Sequence, residues 1–505
     1  MNRISVKHSN QKSMEYNDFS GGLNTSNAVE MIAMNELSKA VNVELDPSTG
    51  LLKTVDGTED VYTNNDLSFK AFCYDNTNEA FLLCTTAGKV YSYKEQALTE
   101  IGTLTGDVYP EFAPWEDGVL IASGGKIQYA HIDNNAMTLE TISESPSTCN
   151  GVFVKGGRVW TYYDETLHCS GVGDEHGWAS TSGDDSTSKD LEVGYKDTGK
   201  IVGVTNLSSD ILIIKDNGHA YHLYGDYPDW TLKEVSRDIH CRGFRAVCAL
   251  ANEAVVLSKS MLQSVTTTET YGDMRADEIS RKVKEQILAL PDSVRIKYIP
   301  VLNQIWFLTG KKRFLFMDCG KRAFFERKFN SDAMDALAVG DDVYVLKPHK
   351  IQKLKNRSPY DDGKEFQWEF WGKTIVSPNE YLVKRIRVSV TPEANIHHEC
   401  MFLVGNVPIV ARLGRHMSQV YQDSTIVYES PREVYEPYLE PEYSSSEIVY
   451  GSREEVYNSE LPLVSASMYK TDKRCVQRLR SVRMLGRGNG GKFLFNSIEY
   501  EYVEV

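Results

Sequence analysis

The residue types that could do chemistry are plentiful in this chain, but their spacing is poor. His397, His398 and Cys400 form a His-His-x-Cys cluster that, with His416, has the ligand types of a zinc site. No CxxC or HxxxH pair supports it, and catalytic zinc usually shows such spacing. His219 and His222 stand three apart in an extended segment, which puts them on opposite faces of a strand. The adjacent pairs His168–Cys169 and His240–Cys241 diverge for the same reason. No GxSxG elbow, phosphate-binding loop, HExxH helix or dinucleotide fingerprint occurs. The expectation is therefore a protein without a catalytic site, a metal site or a cofactor.

Two charged stretches are better defined. Residues 421–460 hold ten Asp or Glu against Arg432 and Arg453, a net −8. Glu429, Glu433, Glu454 and Glu455 sit in two near-repeats, Ile426–Tyr435 and Ile448–Tyr457, and tyrosines recur nearly every seven residues. Pro431, Pro437 and Pro441 exclude a helix, so an extended hairpin or loop pair is expected. Residues 470–492 are the opposite, with eight basic residues and the single acid Asp472. Arg474, Arg478, Arg480, Arg483 and Arg487 make this a candidate basic interface. The acidic residues read either as a solvated face, as one half of a subunit contact, or as a lining that repels a polyanion.

These segments must be positioned by a β-rich scaffold. The 505 residues carry a net charge of −15, 41% hydrophobic and 25% charged residues, which is enough apolar material for sizeable cores. That acidity argues against nucleic-acid wrapping, which needs clustered Lys and Arg. Twenty-eight tyrosines suit half-buried strands and interfaces. The start is polar and lacks a signal-peptide core, and no apolar run reaches membrane-span length. Nine scattered cysteines argue against a disulfide framework and for folding in a reducing cytoplasm.

Amphipathic helical periodicity is confined to Ala28–Val41 and Glu278–Leu290. Elsewhere short apolar runs alternate with Gly, Asn and Asp turns. From Phe69 to Leu354 they group into seven units, each with an apolar strand, a stronger apolar strand and an aromatic-rich strand. Unit starts lie about 40 to 50 residues apart, the spacing of β-propeller blades. The fold class is thus all-β: a propeller of about seven blades over 61–360, preceded by an arm, a short helix and a strand in 1–60 that close it or lead into it. A further β-domain, taken as a sandwich, occupies 361–505. Within it, Phe366–Trp371 and Val383–Val390 alternate as half-exposed strands do. Propeller glycosidases repeat a Ser-x-Asp-x-Gly-x-x-Trp box. The nearest segment, Ser170 to Trp178, spaces its Ser and Asp174 four apart and occurs once.

Several segments in order carry a resemblance. Tyr16-Asn-Asp-Phe19-Ser-Gly21-Gly22-Leu23-Asn24, then Asn42-Val-Glu-Leu-Asp46-Pro47-Ser-Thr-Gly50, resemble the start of phage tail β-propeller proteins. Arg158-Val-Trp160 with Ser170, Gly173, Asp174 and Trp178 is similar to a blade of that family. So are Leu212–Gly225 and Tyr271-Gly272 followed by Ile279-Ser280. The resemblance covers about residues 16 to 390 and is to the tail nozzle, or tail hub, group of short-tailed phages. The usual basic run after the first Gly turn is replaced here by Leu51–Gly57, and the acidic insert has no counterpart. The resemblance implies a structural virion protein made in the host cytoplasm and placed in the tail. It implies a hexameric ring below the portal and adaptor, neighbouring spikes or fibres and a distal plug. Double-stranded DNA would pass through without sequence-specific binding. The alternative function is a receptor- or glycan-binding propeller of the tail.

Overall fold

The computed structural model describes residues 12–182, 184, 186–207, 210–225, 230–267, 274–393, 398–404, 407–413, 420–422, 442–444 and 469–504. The chain divides into two compact units: residues 58–354, and residues 1–57 together with 355–505.

The first unit is a seven-bladed propeller. Six runs of four antiparallel strands follow one another in chain order, starting with Phe69–Asp75, Ala80–Thr85, Lys89–Lys94 and Ala97–Thr103 as blade 1. Blades 2 to 6 begin at Glu111, Val152, Ile201, Val247 and Arg295. Blade 7 has three strands of its own, Asp335–Val339, Asp342–Lys347 and Lys350–Lys355. Its fourth, outer strand is Gly57–Thr63, from before blade 1.

Each blade's second strand is its most buried: Ala80–Thr85, Gly118–Ala122, Ala254–Leu257 and Gln304–Leu308 are buried along their whole length. A strand covered on both faces has no reason to alternate, so it reads as a continuous apolar run such as Phe-Leu-Leu-Cys or Ala-Val-Val-Leu. Fourth strands such as Ala97–Thr103 and Ala136–Thr141 are largely wet, whereas that of blade 6, Ala323–Lys328, is mostly buried. Turns between strands use left-handed positions. At Gly218 φ is +89°, and a Cβ there would lie 2.4 Å from the His240 ring, so both backbone and space demand glycine.

The apolar cores lie between blades. Leu82, Cys84 and Val90 of blade 1 pack on Val119, Ile121 and Ala130 of blade 2. Trp160 and Leu167 of blade 3 meet Ile211, Ile213 and Leu223 of blade 4. The ring closes where Phe69, Phe72, Phe81 and Tyr93 of blade 1 pack on Leu346 and Ile351 of blade 7. There the Phe81 and Tyr344 rings stand 4.9 Å apart, and Tyr62 of the outer strand lies 4.5 Å from Tyr93.

The second unit brings both chain ends together. Gln367–Pro392, of 26 residues, pairs antiparallel with Tyr469–Asn489 and, over Tyr381–Pro392, with Phe493–Glu504. The N-terminal segment adds Lys12–Tyr16 beside Phe493–Glu504, Lys39–Val41 beside Glu369–Trp371, and the Val43–Leu45/Leu52–Thr54 hairpin. These strands hydrogen-bond as one continuous ladder, where two stacked sheets had been expected. The alternation of Phe366–Trp371 is real: Phe366, Trp368 and Phe370 are buried. That of Val383–Val390 is interrupted by a register shift between Val383 and Arg385. Phe19 is sealed against Phe370 and Phe495 at 6.0 and 5.6 Å, with Gly21 too close to Glu36 and the Asn35 carbonyl to accept a side chain.

Both expected helices need correction. Ala28–Val41 forms turns and the short strands Glu36–Leu37 and Lys39–Val41. The buried Glu36 carboxylate accepts the Ala33 N–H and the Asn24 amide, fixing a turn. Glu36–Leu37 pairs in parallel with Gly22–Leu23, so tertiary pairing overrides the local periodicity. In Glu278–Leu290, residues Met274–Glu278 are a strand end, and only Arg281–Val283 (3-10) and Lys284–Leu288 (α) are helical.

Proline at both Asp60 and Val61 removes ladder N–H groups from the strand that completes blade 7. It should lower stability by about 3 kcal/mol, read as a shifted midpoint in chemical denaturation. An unchanged midpoint would mean that the outer strand contributes nothing to closure.

Candidate functional site

A cavity of about 360 Å³ at the propeller axis is lined from every blade, by residues in or beside first strands and, in blade 3, by Tyr162 of the second strand. Its polar wall consists of charges that the sequence reading did not single out. Arg245, just before the first strand of blade 5, pairs with Glu111 of blade 2 at 3.0 Å. It also donates to the carbonyls of Tyr109 and Asn150 at 3.0 and 2.9 Å. Lys297 of blade 6 meets the fully buried Asp335 of blade 7 at 3.0 Å, and the Tyr109 hydroxyl donates to the same carboxylate at 2.6 Å. The Arg295 guanidinium stands over the Tyr109 ring, 4.0 Å from its centroid, and donates to the Met334 carbonyl. Blades 2, 3, 5, 6 and 7 are thus tied together through the axis.

Burial pushes the Glu111 carboxyl up, although Arg245 opposes it. Burial also pushes the Tyr109 hydroxyl far up, with Asp335 adding to the effect. The Cys84 thiol goes up to about 12 for the same reason, so it is a poor nucleophile. These are the properties of a stapled axis.

The segments around Arg158, Gly171–Gly177 and Lys215 are local clamps. Arg158, fully buried, donates to the carbonyls of Ser170 and Thr187 at 2.7 and 2.8 Å. Gly171 to Gly177 is a tight turn in which the Gly171 N–H donates to the Gly177 carbonyl at 2.7 Å and Asp174 accepts from the His176 N–H at 3.0 Å. Lys215, also fully buried, contacts Asp197 at 3.1 Å and the Val193 carbonyl at 2.7 Å. Burial alone would raise the Asp197 carboxyl. The Gly199 N–H, the Tyr221 hydroxyl, Lys215 and Asn217 outweigh it and bring the carboxyl down to about 2.

His222 bonds to Asp210 at 2.9 Å, whereas His219 faces Glu234 at 3.0 Å, so the two do not converge. His398 and Cys400 lie opposite Leu413 and Ala411 in a hairpin. His397 and His416 fall outside the described residues. No group of three potential ligands able to hold a metal occurs among the described residues.

Of the candidate interface residues, Glu429, Glu433, Glu454 and Glu455 lie outside the described residues. Arg474, Arg478, Arg480, Arg483 and Arg487 all fall on Tyr469–Asn489, but strand alternation divides them. Arg483 and Arg487 have the opposite parity to the buried Val482 and Met484. Arg480 is exposed and lies 3.6 Å from Glu380. Arg483 is used inside its own unit: it stacks 4.5 Å over Trp371 and donates to the Gly372 carbonyl and Ser38 hydroxyl. Arg487 is exposed beside the Met401 sulfur. Arg474 stands opposite Arg385 in register.

The class these features define is an all-β protein built on a seven-bladed β-propeller with a second β-unit made from both chain ends. No family model matches the sequence, and no curated protein matches it. Solved structures similar to this chain include YCF48 from Cyanidioschyzon merolae, 11% identical, TM-score 0.39, covering 59% of this chain and 98% of that one. Others are the WD40 propeller domain of Doa1 (12%, 0.39, 59% and 97%) and BamB from Moraxella catarrhalis (10%, 0.38, 62% and 92%). The seven-sheet topology itself defines the fold. Among the described residues, no helix is long and apolar enough to cross a membrane.

Two outcomes follow from the buried charges. Lys297→Met strands the Asp335 carboxylate and should cost about 3 kcal/mol, measured by chemical denaturation. Asp197 titrates lower folded than unfolded, so its contribution is complete above about pH 4 and is lost as pH falls toward about 2. The wild type should therefore lose its stability advantage over Asp197→Asn across that window. A constant difference between the two would contradict the assignment.

Proposed function

We propose that this chain is a non-enzymatic structural subunit of a ring in a short phage tail, of the nozzle type. The observation that carries the reading is an open strand edge. Tyr469–Asn489 pairs with Gln367–Pro392 along one side. On its other side, among the described residues, only Met484–Gly488 have a partner, the strand His398–Val404. Among the described residues no strand pairs with 469–483 on that side, a ladder of about 50 Å. Soluble proteins rarely leave such an edge bare. Repeated head to tail, contacts of this kind close into a ring.

The ordered resemblance supplies the setting: six copies below portal and adaptor, with spikes or fibres and a distal plug as neighbours. In this reading the DNA channel belongs to the ring. An axial cavity of about 360 Å³ crossed by ion pairs is far too small for a duplex whose major groove alone is about 12 Å wide. The acidic segment 421–460 then serves as a lining from which phosphates are repelled, or as the partner of the basic strand. The genome is retained until ejection and then conducted without sequence-specific contacts.

Mass photometry of the purified chain, alone and with portal–adaptor complex, tests the proposal. A ring mass or adaptor-dependent assembly is expected. A strict monomer that ignores the adaptor complex would sink it. Reversal of Glu429, Glu433, Glu454 and Glu455 to Lys should slow ejection while leaving assembly intact, and normal ejection would remove them from the lumen.

A further inference from the structure

The axial cavity has a charge imbalance that its own walls do not satisfy. Three cations, Arg245, Arg295 and Lys297, face two carboxylates, Glu111 and Asp335. Both carboxylates are already committed, Glu111 to Arg245 and Asp335 to Lys297, each at 3.0 Å. Arg295 has no carboxylate. Its guanidinium is held by the Tyr109 ring and the Met334 carbonyl, and its buried Nε hydrogen has no acceptor. The Nε of Arg245 is likewise buried without an acceptor. Each such donor costs free energy until an acceptor reaches it, and an uncompensated guanidinium costs more.

The remaining wall is aromatic, with Phe72, Tyr74, Phe112 and Tyr162 beside Tyr109. A volume of about 360 Å³ lies at the small end of ligand-binding pockets. We propose that the propeller axis is a binding site for a small organic monoanion, a carboxylate carrying an aromatic or apolar body. Arg295, the lining cation without a carboxylate partner, matches one negative charge. A guanidinium is well suited to a carboxylate, and the rings take the body. A phosphate dianion fits worse, because its second charge would face Glu111 and Asp335 with no cation left over. The site is independent of ring assembly, since every group in it comes from one propeller.

Calorimetric titration of the full chain with benzoate, benzamide and inorganic phosphate tests this directly. Benzoate should bind at one site per chain, and the neutral isostere benzamide at least about tenfold more weakly. Arg295→Gln should weaken benzoate by a similar factor. Ala338→Phe, which narrows the cavity without touching a charge, should do so too. Melting curves establish that each variant is folded. If Arg295→Gln does not fold, the benzoate–benzamide comparison on the wild type and the Ala338→Phe titration still decide. Equal binding of benzamide, tighter binding of phosphate, no heat at about 10 mM benzoate, or indifference to a folded variant would overturn the proposal.

Discussion

The structure depends on one constraint: a four-stranded sheet whose second strand is apolar on both faces cannot stand alone. Ala80–Thr85, Gly118–Ala122 and Ala254–Leu257 are buried from end to end, so each blade must be covered by a neighbour on both sides. Radial stacking meets that demand, and it leaves wet fourth strands such as Ala97–Thr103 and Ala136–Thr141 at the rim. The demand returns at the seam, where blade 7 and blade 1 share a core of Phe69, Phe72, Phe81, Leu346 and Ile351. Gly57–Thr63 completes the last sheet there, so the ring is held by hydrogen bonds as well as packing.

At the centre the same geometry creates the opposite problem. First strands converge on the axis, where side chains are too few to fill the space and backbone groups need partners. Glu111, Arg245, Lys297 and Asp335 answer both needs: the first pair bridges blades 2 and 5 across the axis, the second the neighbouring blades 6 and 7. Arg158 and Lys215 act similarly between strands and loops, each fully buried and each tied to carbonyl oxygens. Charge is used inside this propeller mainly as a staple, and the excess at Arg295 departs from that use.

Much of the propeller was legible because its strongest signal is local. Second strands such as Ile-Leu-Ile-Ile at 211–214 are apolar runs bounded by turn residues, and the blades were counted from them. Fourth strands were missed because Ala97–Thr103 and Thr231–Ser236 are wet and polar, like loops. A strand near residue 60 was expected to close the propeller or lead into it, but its partner was hidden for another reason: Gly57–Thr63 pairs with Lys350–Lys355, far along the chain. Ala28–Val41 misled because its apolar spacing is helical, while Glu36, Asn24 and the strand Gly22–Leu23 impose another backbone. The axial charges left a faint trace, as polar residues in or just before otherwise apolar first strands. Glu111 and Lys297 fit that description, and so do Asp335 and Arg245. Only the ring brings them together.

Blade 7 also sets a timetable for the nascent chain. Gly57–Thr63 leaves the ribosome early, yet its partner Lys350–Lys355 is made nearly three hundred residues later. At about 5–20 residues per second the strand waits tens of seconds, unpaired, while six complete sheets form between the two. Its polar composition, Gly-Thr-Glu-Asp-Val-Tyr-Thr, suits that wait, since a charged strand is a poor template for a wrong partner. Closure is then the last local event of propeller folding, and a chain halted before residue 350 has a seam without its latch.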